Sequence, residues 1–348
     1  MKAGIYSPYW DTLGGGERYA ASFAQAIQNK YKVEIFSTTP NLIAKIKDRF
    51  NIDLNNITQN HKAASMFNKS KNIIEKFLFT RHYNLIFFVS DGSLPFLFSQ
   101  KNIVHFQVPF KNIKSKSSLI PMKLKNIQHI ICNSYFTKSV IDQEFSISSQ
   151  VIYPPIIPIK KAAKKENIIL SVGRFDNLLI SKRQDVLITA FKNLKPKNWR
   201  LVLVGGVLHG QSIVNKLKNS AKGYPIDIQT NISFNKLSTL YAKAKIYWHA
   251  AGFNLDINTH PQKAEHFGIS TVEAMSAGAI PIVFNGGGLK EIITPEKNGY
   301  LWNTIDELIT ITKTIIKKPS ISLINQAVSR SKDFSQEQFN EAIQKILN

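Results

Sequence analysis

Short apolar runs rich in β-branched side chains recur along the chain, separated by longer amphipathic stretches. Ala3–Tyr6, Val33–Phe36, Leu85–Val89, Ile103–His105, Ile130–Cys132 and Val151–Tyr153 are apolar on both faces, which predicts buried parallel strands rather than half-exposed ones. A helical period begins at about Glu17 and runs to Gln28. Strand alternating with helix predicts an α/β protein with a parallel sheet. The pattern breaks at Tyr153–Asn167, YPPIIPIKKAAKKEN, where three prolines and then four lysines suit neither a helix nor a central strand. That segment is the best linker in the chain. Beyond it the alternation resumes. Strands are expected at Ile168–Val172, Leu201–Val204, Ile226–Ile228, Ile246–His249 and Pro281–Phe284, with helices near 184–194, 236–243 and 271–277. The expectation is two doubly wound units, 1–158 and 159–335, joined by a Pro-rich hinge.

Composition narrows the class. A chain of 348 residues with 43% apolar and 20% charged positions can bury sizeable cores and is not a disordered chain. The lone Cys132 excludes a disulfide scaffold and a cysteine-rich zinc site, and fits a reducing compartment. The start, MKAGIYSPYW, lacks the apolar core of a signal peptide, and no run reaches the roughly 20 apolar residues of a transmembrane helix. The protein is therefore expected in the cytoplasm. Histidines at 61, 82, 105, 129, 209, 249, 260 and 266 are scattered, and there is no Asp-x-Asp, G-x-S-x-G or Walker loop. Neither a metal nor a cofactor is expected.

The net charge of +22 favours anionic partners. Arginine occupies only positions 18, 49, 81, 174, 183, 200 and 330, whereas proteins that read nucleic-acid bases rely on arginine, so nucleic acid is not the expected partner. A solvated lysine-rich surface accounts equally well for the charge. Between Asp91 and Asp142 there is no acidic residue, and the interval holds Lys101, Lys111, Lys114, Lys116, Lys123, Lys125 and Lys138. Near its centre Ser115–Ile130, SKSSLIPMKLKNIQHI, interleaves apolar and basic residues as a segment lying on an anionic surface does. A core helix with a lysine-rich outer face is the alternative.

Parallel sheets bind ligands beyond the carboxyl ends of their strands, so polar or Gly-rich segments just after a strand are the places to look. Gly14-Gly15-Gly16-Glu17 follows the first strand and opens a helix, but it is not the dinucleotide fingerprint. His105 ends a strand, where an imidazole either meets a ligand or is a satisfied structural group. Gly173-Arg174-Phe175 follows Val172, with Lys182 and Arg183 close behind; clustered cations suit a diphosphate, or else simply coat a loop. In Glu265-His266-Phe267-Gly268-Ile269-Ser270-Thr271-Val272-Glu273 the pair Ser270 and Glu273 fits a helix capping box. Glu265 has no such structural duty. Asn285-Gly286-Gly287-Gly288 is a further Gly loop after a strand.

In order, GGGERY from Gly14, ICNSYFT at 131–137, VIYPP at 151–155, SVGRF at 171–175 and EHFGISTVEAMSAGAIPIVFNGGGLKEII at 265–293 resemble the retaining glycosyltransferases of family 4 over nearly the whole chain. The resemblance implies a GT-B fold: two Rossmann-like doubly wound domains facing a central cleft, with a last helix, about 336–348, returning to the first domain. It implies sugar transfer from a nucleotide-sugar donor to a glycan or lipid-linked acceptor, including mannose from GDP-mannose. By the same resemblance Glu265 contacts the transferred sugar, Glu273 the ribose, and Arg174 and Lys182 the diphosphate. Phe267, Gly268 and Ile269 lie along the donor, His105 lines the catalytic centre, and Gly15 and Gly16 close over the donor. The family pattern Arg-x4-Lys is stretched here, so Arg183 competes with Lys182 for the second cation. Cations in place of a metal fit the missing Asp-x-Asp, and contact with the inner face of a membrane fits a lipid-linked acceptor. A sugar-nucleotide epimerase of the same fold and a non-enzymatic protein binding anionic surfaces are the competing readings.

Overall fold

The computed structural model describes residues 1–67, 72–113, 119–176 and 181–348. The chain divides into two compact units, Met1–Pro155 with Glu337–Asn348, and Ile156–Gln336. In the first unit β1 (Lys2–Tyr6), β2 (Lys32–Phe36), β3 (Ile57–Asn60), β4 (Leu85–Val89), β5 (Lys101–Phe106), β6 (His129–Cys132) and β7 (Gln150–Val151) form one sheet, in the order β3-β2-β1-β4-β5-β6-β7. In the second, β8 (Glu166–Val172), β9 (Arg200–Gly205), β10 (Ile226–Thr230), β11 (Ala244–His249), β12 (Ile280–Phe284) and β13 (Tyr300–Trp302) are ordered β10-β9-β8-β11-β12-β13. All the described pairings are parallel. Both units are Rossmann-like and doubly wound, as the alternating pattern predicts.

Two strands escape that pattern. β3 reads ITQN and β13 reads YLW; both are short and lie at sheet edges, where little burial is required of them. Central strands show the opposite: β4, LIFFV, is buried at every position.

The strand order reverses between β1 and β4 in the first sheet and between β8 and β11 in the second. At such a point the helices on either side diverge, leaving a crevice beyond the strand ends. In the second unit the segments after β8 and β11 are those that carry Arg174 and Glu265.

The linker is narrower than the prolines suggest. From Ile156 onward the chain is fixed to the second unit: Ile156 N–H donates to the Phe334 carbonyl (2.9 Å), Ile159 N–H to Ser276 Oγ (3.1 Å) and Ala162 N–H to the Ala242 carbonyl (3.3 Å). Ile156 and Ile159 are buried, so apolar anchoring outweighs the flexibility expected of the lysine-rich stretch. The expected basic surface segment at 115–130 has its first residues, 115–118, outside the described residues; the rest includes a short helix, Ile120–Leu124, before β6.

The last helix, Gln336–Leu347, belongs to the first unit's core. Phe339, Ile343 and Leu347 are buried among Tyr19, Phe23 and Phe87. Lys101 Nζ closes the helix by donating to the carbonyls of Ile346 (3.2 Å) and Leu347 (2.7 Å), the end where the helix dipole favours a cation.

Candidate active site

Three side chains meet in the second unit, where its strand order reverses. Glu265 Oε2 accepts from Lys182 Nζ at 2.6 Å and from His249 Nε2 at 2.7 Å. A carboxylate in this position only accepts, so the His249 proton sits on Nε2. Its Nδ1 is buried and has no hydrogen-bond partner among the described residues. Burial alone would raise the Glu265 carboxyl, but Lys182 and His249 overcome it and hold the group well below the usual carboxylate range. Glu265 is thus an anion at any working pH. Both contacts use Oε2, leaving Oε1 for a ligand.

Each member has a local reason for its place. His249 is the last residue of β11, which places it at the carboxyl edge of the sheet. Lys182 reaches Glu265 by lying across Gly173, where a Cβ would come within 2.8 Å of the lysine's Cγ. Glu265 is fixed through its backbone: its carbonyl accepts from Gly288 N–H at 2.8 Å. Gly287 has φ +61°, and a Cβ there would stand 2.1 Å from the same carbonyl oxygen. The Asn285–Gly288 loop, a weak signal in the sequence, is therefore the shelf on which Glu265 rests.

Arg174 follows β8 directly. Its guanidinium makes no hydrogen bond or ion pair with a described residue, which leaves a bidentate donor open to an anion. Asp176, two residues on, is committed: its carboxylate accepts from the N–H groups of Leu208, His209 and Gly210, the last at 2.6 Å. Burial would raise the Asp176 carboxyl, but those bonds and the nearby charge of Arg174 hold it below its usual range. The start of the helix Gln211–Ala221 is therefore filled by the protein's own carboxylate. Arg183, the rival for the second cation, is also committed. It binds Asp185 at 3.0 Å and the Phe253 carbonyl at 2.9 Å. Of the two, Lys182 is the one brought to Glu265.

The helix Ile269–Ser276 begins differently from the capping box expected of Ser270 and Glu273. Its N-cap is Gly268, at φ +121°, and no side chain caps it. The helix starts earlier than a box at Ser270 requires, and Ser270 Oγ instead accepts from the buried Tyr247 hydroxyl at 2.7 Å. Tyr247 also donates toward the Val172 carbonyl (3.3 Å), tying the end of β8 to this helix. Phe267 packs its ring edge-on to Phe334 (5.3 Å), Ile269 opens the helix, and Glu273 is buried within it.

The remaining candidates lie in the first unit. His105 is fully buried at the end of β5, its ring stacked 3.8 Å from Tyr19 and beside Phe87. Burial pushes its imidazole down to about 3, a smaller opposing effect coming from the Ile131 backbone, so it is neutral. Gly15 and Gly16 open the helix Gly15–Ile27. A Cβ at Gly16 would overlap the Gln107 side chain, at 1.7 Å from Oε1. Glu17 turns inward and organises the loop after β1, accepting from Thr12 Oγ1 and Gly14 N–H, both at 2.9 Å.

Residues 154–323 match the family described as glycosyl transferases group 1. The match covers most of the second unit. The GDP-Man:Man(3)GlcNAc(2)-PP-Dol alpha-1,2-mannosyltransferase of Dictyostelium discoideum is 27% identical over 236 residues, 60% of this chain and 44% of that protein. This chain spans less than half the length of such curated relatives. Among solved structures, a glycosyltransferase from Rickettsia africae superposes with a TM-score of 0.77 at 17% identity, over 99% of this chain and 98% of that one. HepE of Anabaena, solved with UDP and glucose, gives 0.73 at 16% identity over 100% and 99%. These likenesses show the GT-B fold. No helix among the described residues is long and apolar enough to cross a membrane.

Proposed function

We propose that this chain is a group 1 glycosyl transferase that moves a hexose from a nucleotide sugar to a glycan or lipid-linked acceptor, with retention at the anomeric carbon. The observation that carries the reading is the ionised Glu265, held by His249 at the end of β11 and by Lys182, whose side chain lies across Gly173, the residue before Arg174. Cleavage of a sugar from a nucleoside diphosphate builds negative charge on the departing phosphate and positive charge at the anomeric carbon. Arg174 supplies a bidentate cation to the former. Lys182 gives one N–H to Glu265 and keeps two for a phosphate oxygen. Oε1 of Glu265 faces the sugar, where an anion gains most as positive charge develops. Side-chain cations fill the place a metal takes in other transferases, so the reading needs no cofactor. Glu273, inside the adjoining helix, is assigned to the nucleotide ribose.

For the donor we propose GDP-mannose and for the acceptor a lipid-linked oligosaccharide or polysaccharide precursor at the cytoplasmic face of a membrane. The support is the mannosyltransferase activity for which the curated relatives are named. A thermal-shift panel of nucleotide sugars tests the donor: a ligand at 100 times its dissociation constant adds about 2.7 kcal/mol. NMR of the product's anomeric proton then tests retention. Conversion of the donor to its sugar epimer without any acceptor indicates an epimerase instead. Stabilisation by no nucleotide or nucleotide sugar rejects the reading.

A further inference from the structure

The helix Ile73–Thr80 of the first unit buries little of its apolar surface. Ile74 is 65% exposed and Leu78 52%, with Ile73 and Phe77 also open to solvent. The short helix Ile120–Leu124 adds Met122, 50% exposed, and Leu119 just before it. Aromatic contacts join the two helices: Phe77 meets Phe98 at 5.2 Å, Phe98 stacks on Phe96 at 6.5 Å, and Lys123 Nζ lies 5.1 Å above the Phe96 ring. An apolar surface shared by two helices is more than the scattered exposure every protein shows.

Cations outnumber acids on this surface. Lys76 and Lys123 make no ion pair with a described residue, and Arg81 lies over the Phe77 ring. Burial, and for Lys123 the nearby charge of Lys76, depress both amines. Glu75, the acid on the first helix, is engaged with the Asn72 N–H at 3.0 Å. Two neighbouring, partly desolvated ammonium groups amid exposed aliphatic side chains match a layer with phosphate at its surface and hydrocarbon beneath it.

We propose that the Ile73–Thr80 and Ile120–Leu124 helices form a docking surface for an anionic lipid bilayer, with Lys76 and Lys123 on the phosphates and Ile74, Phe77, Leu78 and Met122 in the acyl boundary. The proposal rests on the reading of a membrane-side acceptor and moves the contact from the 115–130 segment alone to a surface that the Ile120–Leu124 helix shares with the earlier helix.

The test is co-sedimentation of the full chain with phosphatidylcholine vesicles, with and without phosphatidylglycerol. Wild type binds the anionic vesicles, and binding weakens with salt. Lys76→Gln with Lys123→Gln lowers the partition coefficient roughly fivefold per lysine. Ile74→Ser with Phe77→Ser lowers it at least as much, while far-UV circular dichroism and donor hydrolysis stay at wild-type level. Equal binding to neutral vesicles, no binding to either, or variants that bind like wild type overturns the proposal. So does a wild-type dimer in sedimentation velocity that Ile74→Ser with Phe77→Ser abolishes, since a second copy then covers the surface. Donor turnover without vesicle binding sinks this surface and leaves the transferase reading standing; vesicle binding without turnover does the reverse.

Discussion

His249 does for Glu265 what a single cation cannot. Lys182 supplies charge on a long, many-rotamer stem, whereas the buried imidazole fixes the direction of Oε2. Replacing His249 by Ala should lower kcat about 10- to 100-fold with little change in donor KM, because a misaimed carboxylate is felt mainly in the transition state. His249→Gln, which can still donate, should restore part of the loss. Glu265→Gln should cost about 10²- to 10³-fold in kcat while nucleotide affinity stays near wild type. If Glu265→Gln transfers sugar at the normal rate, the site assignment is wrong. His105 gives a prediction of a different kind. Its folded value of about 3 lies below the free value near 6.5, so the unfolded chain takes up a proton the folded chain refuses. Its contribution to stability is complete above about pH 6.5 and declines as pH falls toward 3, by at most about 1.4 kcal/mol per pH unit. Urea unfolding at several pH values should show this slope in wild type. His105→Phe, which keeps the stack on Tyr19, should flatten it.

Among the elements, the Asn285–Gly288 loop and the helix Ile269–Ser276 flank the Glu265 carboxylate and set its backbone. Gly287→Ala combines a strained φ with a Cβ driven into the Glu265 carbonyl, so it should destabilise by ~2–4 kcal/mol and also depress turnover. A surface glycine such as Gly223, whose added Cβ meets nothing within 4 Å, is the control, since it shares the positive φ without the clash. Ser270→Ala removes the acceptor of the buried Tyr247 hydroxyl and should cost about 1 kcal/mol, the Val172 carbonyl remaining as a longer partner. A capping box would have made Glu273, not Tyr247, the partner whose replacement matters to Ser270; a double-mutant cycle of Ser270→Ala with Tyr247→Phe and with Glu273→Gln distinguishes them.

At the scale of the whole molecule, the chain runs through the second unit and returns to complete the first. Phe339, Ile343 and Leu347 fill the first unit's core, and burying three such side chains is worth ~5–9 kcal/mol. That is comparable with the entire stability of a typical domain, about 5–15 kcal/mol. Ending the chain at residue 335 should therefore unfold the first unit while the second keeps its own core around Trp248 and Trp302. Two separate calorimetric transitions in the full chain, with one lost on truncation, are the expected result.

Periodicity was enough to announce the α/β class, the central strands of both sheets and the break near the prolines, because a strand buried on both faces must be apolar throughout. It also placed Arg174, Lys182 and Glu265 after strands. The edge strands β3 and β13 left no such mark, since an edge demands little burial. His249 was visible as a histidine ending a predicted strand, the same signal that singled out His105, but position along the chain does not say which strand end faces a carboxylate. Asp176 and the true start of the Ile269–Ser276 helix were hidden for a related reason. Ser-x-x-Glu is compatible with a cap, yet a glycine two residues earlier and a tyrosine from β11 took over the two roles. Local pattern fixes what a segment can form. Which of its polar groups end up paired depends on partners tens of residues away, and those are assigned only when the sheet order brings β8 and β11 side by side.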